Sequence, residues 1–174
     1  MKKLLPLADL LAAVLGIVGI VLCCTLGAVT YTLTSSILGG STSSTLDPGV
    51  GIWGSAEENA SSPVVVGAVI GLVLGGLGVI AAIFSLILSL NKKKAMGAAL
   101  LGVFAFLCLV AAGVLVFCEV PMYKSAAGDA SIDLGDAAKG TYSLTGGWIG
   151  AGICYCLGGA ATLIPSIAVA AGKK

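Results

Sequence analysis

Along this chain, long apolar runs alternate with short polar stretches. Runs without a charged residue extend roughly from Leu10 to Thr30, Val64 to Leu90, Ala95 to Cys118 and Leu144 to Ala171. They predict membrane spans over about 8–30, 64–90, 95–118 and 144–171. Each exceeds the ~20 residues that cross a hydrocarbon core of ~30 Å. A helix is the only open-chain way across, because each backbone N–H must find its partner within its own segment. The second and fourth runs exceed the minimum, so they are expected to tilt or to project on one side. The predicted fold class is an all-α membrane protein. It is one four-transmembrane-helix bundle over residues 1–174, with outer loops at 31–63 and 119–143.

The first run follows "MKK", which also suits a signal peptide. The run outlasts an h-region of about 7–15 residues, and Leu22, not a small residue, precedes Cys23. It is therefore read as a retained span. Lysine position then sets the expected orientation. Lys2 and Lys3, Lys92 to Lys94, and Lys173 and Lys174 fall on one side of a four-span chain. The positive-inside rule places that side, with both termini, in the cytosol. A plasma membrane is the expected site, with an organelle membrane left open.

The polar stretches carry local signals. Asp47-Pro48-Gly49 has turn chemistry. Upstream "TYTLTSSIL" and downstream "VGIW" alternate weakly, so an antiparallel pair joined through the serine-rich stretch and that turn is expected. The option is a small extracellular β-hairpin or sheet. The second loop is expected to be largely irregular. Asn59-Ala60-Ser61 is a glycosylation sequon close to span two, where a membrane-bound transferase has poor access. Pro165 is expected to kink span four or mark fraying near its end.

Composition agrees with burial in lipid. The chain is 58% hydrophobic and 10% charged, with no His and no Arg; a soluble domain has about a quarter of its residues charged. A net charge of +1 gives no reason to expect nucleic acid as a partner. The expected partners are membrane lipids and either further copies of this chain or other membrane subunits.

The glycines are spaced for close helix contact. Gly67, Gly71 and Gly75 recur at four in span two; Gly19, Cys23 and Gly27 repeat this in span one; Gly146, Gly150, Cys154 and Gly158 do so in span four. Such ridges let two backbones approach closely. Contact within the bundle is favoured over contact between protomers, and some ridges are left to face a neighbour.

No catalytic constellation is visible, and no enzyme activity or cofactor is expected. Cys154 and Cys156 lie two apart and so point in different directions on a helix. With Cys23, Cys24 and Cys108 they read as small packing residues, and no metal site is expected. Asp9 is expected to stay solvated at the cytosolic end of span one, and Glu119 to act as an interfacial stop. Without ionisable groups at membrane depth, a transporter or pore is disfavoured. The outer loops hold Asp47, Glu57, Glu58, Glu119, Asp129, Asp133 and Asp136 against only Lys124 and Lys139. That acidic outer face suits weak divalent-cation contact, although solubility alone explains it more simply.

Four spans, cytosolic termini, a longer first outer loop and a short basic turn together resemble the claudin and peripheral-myelin-protein tetraspan superfamily. "GIW" at Gly51–Trp53 is similar to the Gly-Leu-Trp of the claudin first loop, and "YSLTGGWIGAGICYCLGGA" at Tyr142–Ala160 is similar to the start of the fourth claudin span. "IWGS" also resembles the Trp-Gly of the amastin branch. The cysteine pair that claudins carry after the loop tryptophan is absent; "GSAEENA" stands there. The resemblance implies that Trp53 anchors an extracellular sheet at the outer helix ends, with Trp148 near the same interface. Tryptophan suits that depth because its N–H can reach water or headgroups. The resemblance also implies a structural tetraspan protein that self-associates laterally and organises a membrane or junction-like array. The alternative is a non-catalytic accessory subunit of a larger channel, photosynthetic or respiratory complex.

Overall fold

A computed structural model describes residues 4–35, 40–45, 52, 55–57, 60–62, 65–90, 95–127 and 138–171. The chain forms α1 (Leu5–Thr25), β1 (Val29–Ser35), β2 (Gly40–Thr45), β3 (Ser55–Glu57), β4 (Ala60–Ser62), α2 (Val66–Ser89), α3 (Ala95–Phe117), α4 (Glu119–Ala127), β5 (Ala138–Leu144) and α5 (Gly146–Ala170). Helices α1, α2, α3 and α5 are long and apolar enough to cross a membrane, with mean hydropathy of 2.6, 2.5, 2.8 and 1.8. The four predicted spans and the helical fold class are therefore found. The small sheet is also present.

The long helices pack in a ring, α1 against α2, α2 against α3, α3 against α5 and α5 back against α1. The diagonal pair α1 and α3 scarcely touch. Small residues line the inside. Ala12, Ala13, Gly16 and Gly19 of α1 are buried, while Leu7, Leu11, Val14, Ile17 and Val21 of the same helix are exposed. In water that pattern would be inverted. In lipid, association rests on close van der Waals packing, which small residues permit, and large apolar side chains face acyl chains.

Each end of α1 has its own cause. Pro6 sits in the first turn, where its missing N–H removes no helical bond. At the other end Leu26 is extended, with φ −114° and ψ 138°, and the chain passes through Gly27 into β1. Helix α5 runs through Pro165 to Ala170, so the expected fraying there is not seen.

The sheet departs from the expectation. Its order is β2-β1-β5, antiparallel throughout, with Tyr31 facing Ser44 on one side and Tyr142 on the other. The serine-rich stretch was expected to connect two strands; it is itself strand β2. Of "VGIW" only Ile52 lies among the described residues, and it is helical and buried. The second loop is not largely irregular, since it contributes α4 and β5. Alternation explains the pairing. Val29, Tyr31 and Leu33 oppose Leu144, Tyr142 and Gly140 on one face, and Thr30, Thr32 and Thr34 oppose Ser143, Thr141 and Lys139 on the other. The ring of Tyr142 lies 5.0 Å from that of Tyr31 and 5.6 Å from that of Tyr123 on α4. The apolar face is thereby seated on the short helix. A second, two-stranded ladder pairs β3 with β4.

Candidate functional site: a buried polar node between four helices

At the end of the bundle that carries the chain termini, four helices bring polar groups together. Asp9 lies about one turn inside α1, and its side chain is fully buried. Ser85 of α2 is also fully buried, with Oγ 2.7 Å from Asp9 Oδ2 and 2.8 Å from the Ala98 carbonyl oxygen of α3. Ser166 of α5 completes the group; it too is fully buried, and its Oγ has no hydrogen-bond partner. Gly102 of α3 lies between. A Cβ there would meet Ser166 Oγ and come to 3.7 Å from Asp9 Oδ1.

This overturns the expectation for Asp9, which is buried inside the bundle and hydrogen-bonded. Burying a carboxyl without partners is costly, and Ser85 offsets part of that cost. The signal was available in the sequence. Ser85 and Ser166 each sit a turn or so inside an apolar run and Asp9 stands at the edge of another, at ends that alternating spans bring to one side.

A second acid lies towards the opposite end. Glu119 opens α4, is fully buried, and neither carboxyl oxygen has a partner. Burial pushes its pKa up to about 7. The expected interfacial stop is thus an enclosed group. Its place in the first turn of a helix favours whatever negative charge it holds.

The predicted tryptophan anchor takes a different form at Trp148. The indole is fully buried, and its N–H donates to the Leu26 carbonyl at 2.9 Å, not to water or headgroups. Thr145 caps the same helix, accepting from the Trp148 N–H at 3.5 Å, and its hydroxyl donates to the Gly27 carbonyl. The Thr145 N–H donates to the Ala28 carbonyl at 3.1 Å. One corner therefore ties the exit of α1 to the entry of α5. Trp53 lies outside the described residues.

Most of the glycine ridges face inward. A Cβ on Gly75 or Gly19 would fall 2.8 Å or 2.9 Å from the ring or hydroxyl of Tyr155, which fills the notch between them. Gly158 faces the Ala12 carbonyl at 3.3 Å, Gly71 faces Leu115 at 3.4 Å, Gly150 faces Leu22 at 3.6 Å, and Gly67 lies under Met122. Two predicted ridge positions fall away. Gly27 lies beyond the end of α1, and Gly146 at the start of α5 has nothing within 4 Å of a built Cβ.

Of the acidic outer positions, Asp47, Glu58, Asp133 and Asp136 lie outside the described residues, and Glu57 is described only as part of β3. Among the described residues no group of three His, Cys, Asp or Glu side chains is placed to hold a metal ion. The six cysteines are free thiols.

Comparison with family models, with curated proteins and with solved structures finds no match to this chain. The fold itself defines the class. It is a four-helix bundle of the multi-pass membrane type, with a three-stranded sheet near one end and a buried polar node near the other.

Proposed function

We propose that this chain is a structural tetraspan membrane protein that associates laterally with copies of itself and organises a membrane or junction-like array. The observation that carries the reading is strand β2. It lies at the edge of the sheet, and all six of its residues, Gly40 to Thr45, are exposed. An edge strand presents unpaired backbone N–H and C=O groups, which a strand of a neighbouring molecule can pair. The inward-facing glycines support the same division of labour, with the helices closing the protomer and the sheet free to meet a neighbour. A sheet at the outer helix ends is also what the claudin-like resemblance implies, with the termini in the cytosol.

Blue-native electrophoresis of gently solubilised membranes tests this. A ladder of homo-oligomers is expected, and Ser43→Lys, which puts a charge on the edge, should collapse it towards the monomer. A single heavy band containing other chains would replace the proposal with the accessory-subunit reading.

A further inference from the structure

Ser85 fixes the hydrogen count of the buried node. Its hydroxyl has one proton to give, yet its Oγ lies at hydrogen-bond distance from two oxygens, 2.7 Å from Asp9 Oδ2 and 2.8 Å from the Ala98 carbonyl. A carbonyl oxygen can only accept. If the Ser85 proton went to an ionised Asp9, the Ser85 and Ala98 oxygens would face each other with no proton between them. If it goes to Ala98, the contact with Asp9 is completed by a proton carried on the carboxyl. Only the second arrangement satisfies both distances. Two further atoms lie in the same place. Asp9 Oδ1 and Ser166 Oγ are both buried without partners; the Ser166 hydroxyl occupies the place a side chain at Gly102 would need, and Asp9 Oδ1 lies 3.7 Å from that position. No Lys and no second acid among the described residues hydrogen-bonds into the group. The other three helices present Ser85, the Ala98 carbonyl and Gly102, and Ser166.

We propose that Asp9 and Ser85 form a proton-binding site, with Ser166 packed beside it. The proton sits on Asp9 Oδ2 and is donated to Ser85 Oγ; the Ser85 hydroxyl donates to the Ala98 carbonyl. Glycine at position 102 makes room for the Ser166 hydroxyl. Ionisable groups at membrane depth face the bundle interior and mark sites where protons or ions are held. The site is independent of lateral assembly, since all its donors and acceptors come from one protomer.

Infrared spectroscopy of the purified full chain in lipid vesicles reads this directly. At pH 7 the Glu119→Gln protein should keep a protonated-carboxyl C=O band, and adding Asp9→Asn should abolish it. Ser85→Ala should shift the band, because the acid loses its hydrogen-bond acceptor. Gly102→Ala should shift it as well, by displacing the Ser166 hydroxyl beside the acid. The single Glu119→Gln spectrum remains decisive if the double variant does not assemble. Absence of the band there at pH 7 would mean that Asp9 is ionised and would overturn the proposal. Loss of the band when sodium replaces potassium at constant pH would assign the site to a metal cation and would overturn it equally.

Discussion

Trp148 donates its indole N–H to the carbonyl of Leu26 at 2.9 Å, joining the first residue beyond α1 to the first turn of α5. Helix ends leave carbonyls without partners, and here a side chain from a distant helix supplies one. Trp148→Phe keeps most of the ring and removes only the donor. It should destabilise the fold by about 1–3 kcal/mol, the usual effect of leaving a buried polar group unpaired. Thermal unfolding in detergent micelles, followed by circular dichroism, measures it; an unchanged midpoint would show that the carbonyl finds water instead.

Neighbouring glycines in α2 should respond oppositely to the same substitution. A Cβ on Gly75 would lie 2.8 Å from the Tyr155 hydroxyl, whereas one on Gly76 would have nothing within 4 Å. Gly75→Ala should therefore push the Tyr155 ring out of its notch and lower the midpoint. Gly76→Ala should leave the midpoint unchanged or raise it, because alanine in a helix is favoured over glycine by about 0.5–1 kcal/mol. Gly71→Ala is expected to be tolerated, as its Cβ would sit 3.4 Å from Leu115, while Gly71→Leu is not. Equal midpoints for Gly75→Ala and Gly76→Ala would place Tyr155 elsewhere.

The four helices were legible because the length of an uncharged run and the thickness of a bilayer decide them almost alone. The inward-facing glycines were legible from their spacing of four. The sheet partners were not. Pairing β1 with β5 joins Tyr31 to Tyr142, distant along the chain, and no local pattern marks a contact between two loops. The Ser-Thr stretch that became β2 reads as a linker by composition; it is a strand because β1 beside it has an edge to fill. Asp9 and Glu119 were not legible for one reason: proximity to a span end suggests access to water, whereas each is fully buried.

The lysine pattern carries a prediction about orientation. Lys124 is exposed on α4, at the end of the bundle opposite the termini. If the termini face the cytosol, trypsin added outside sealed cells should cut at Lys124 or Lys139 and spare Lys92 to Lys94. Cleavage only within the Lys92 turn would reverse the orientation.

The enclosed Glu119 should make stability depend on pH in a defined direction. Burial holds its carboxyl at about 7 in the folded chain, against 4.5 for an ordinary glutamate. Between those values the folded chain keeps a proton that the unfolded chain has released. The Glu119 contribution is therefore complete below the lower value, falls as pH rises through the higher one, and is level above it. Glu119→Gln keeps the shape and cannot ionise. The variant's unfolding midpoint, compared with that of the parent at each pH, should thus gain steadily between pH 5 and pH 7 and level off above that. Taking the difference cancels the other acids, Asp9 included, since both proteins carry them. A difference that stays flat across this range would mean that Glu119 reaches water in the folded protein, and that the short helix α4 does not seal the end of the bundle.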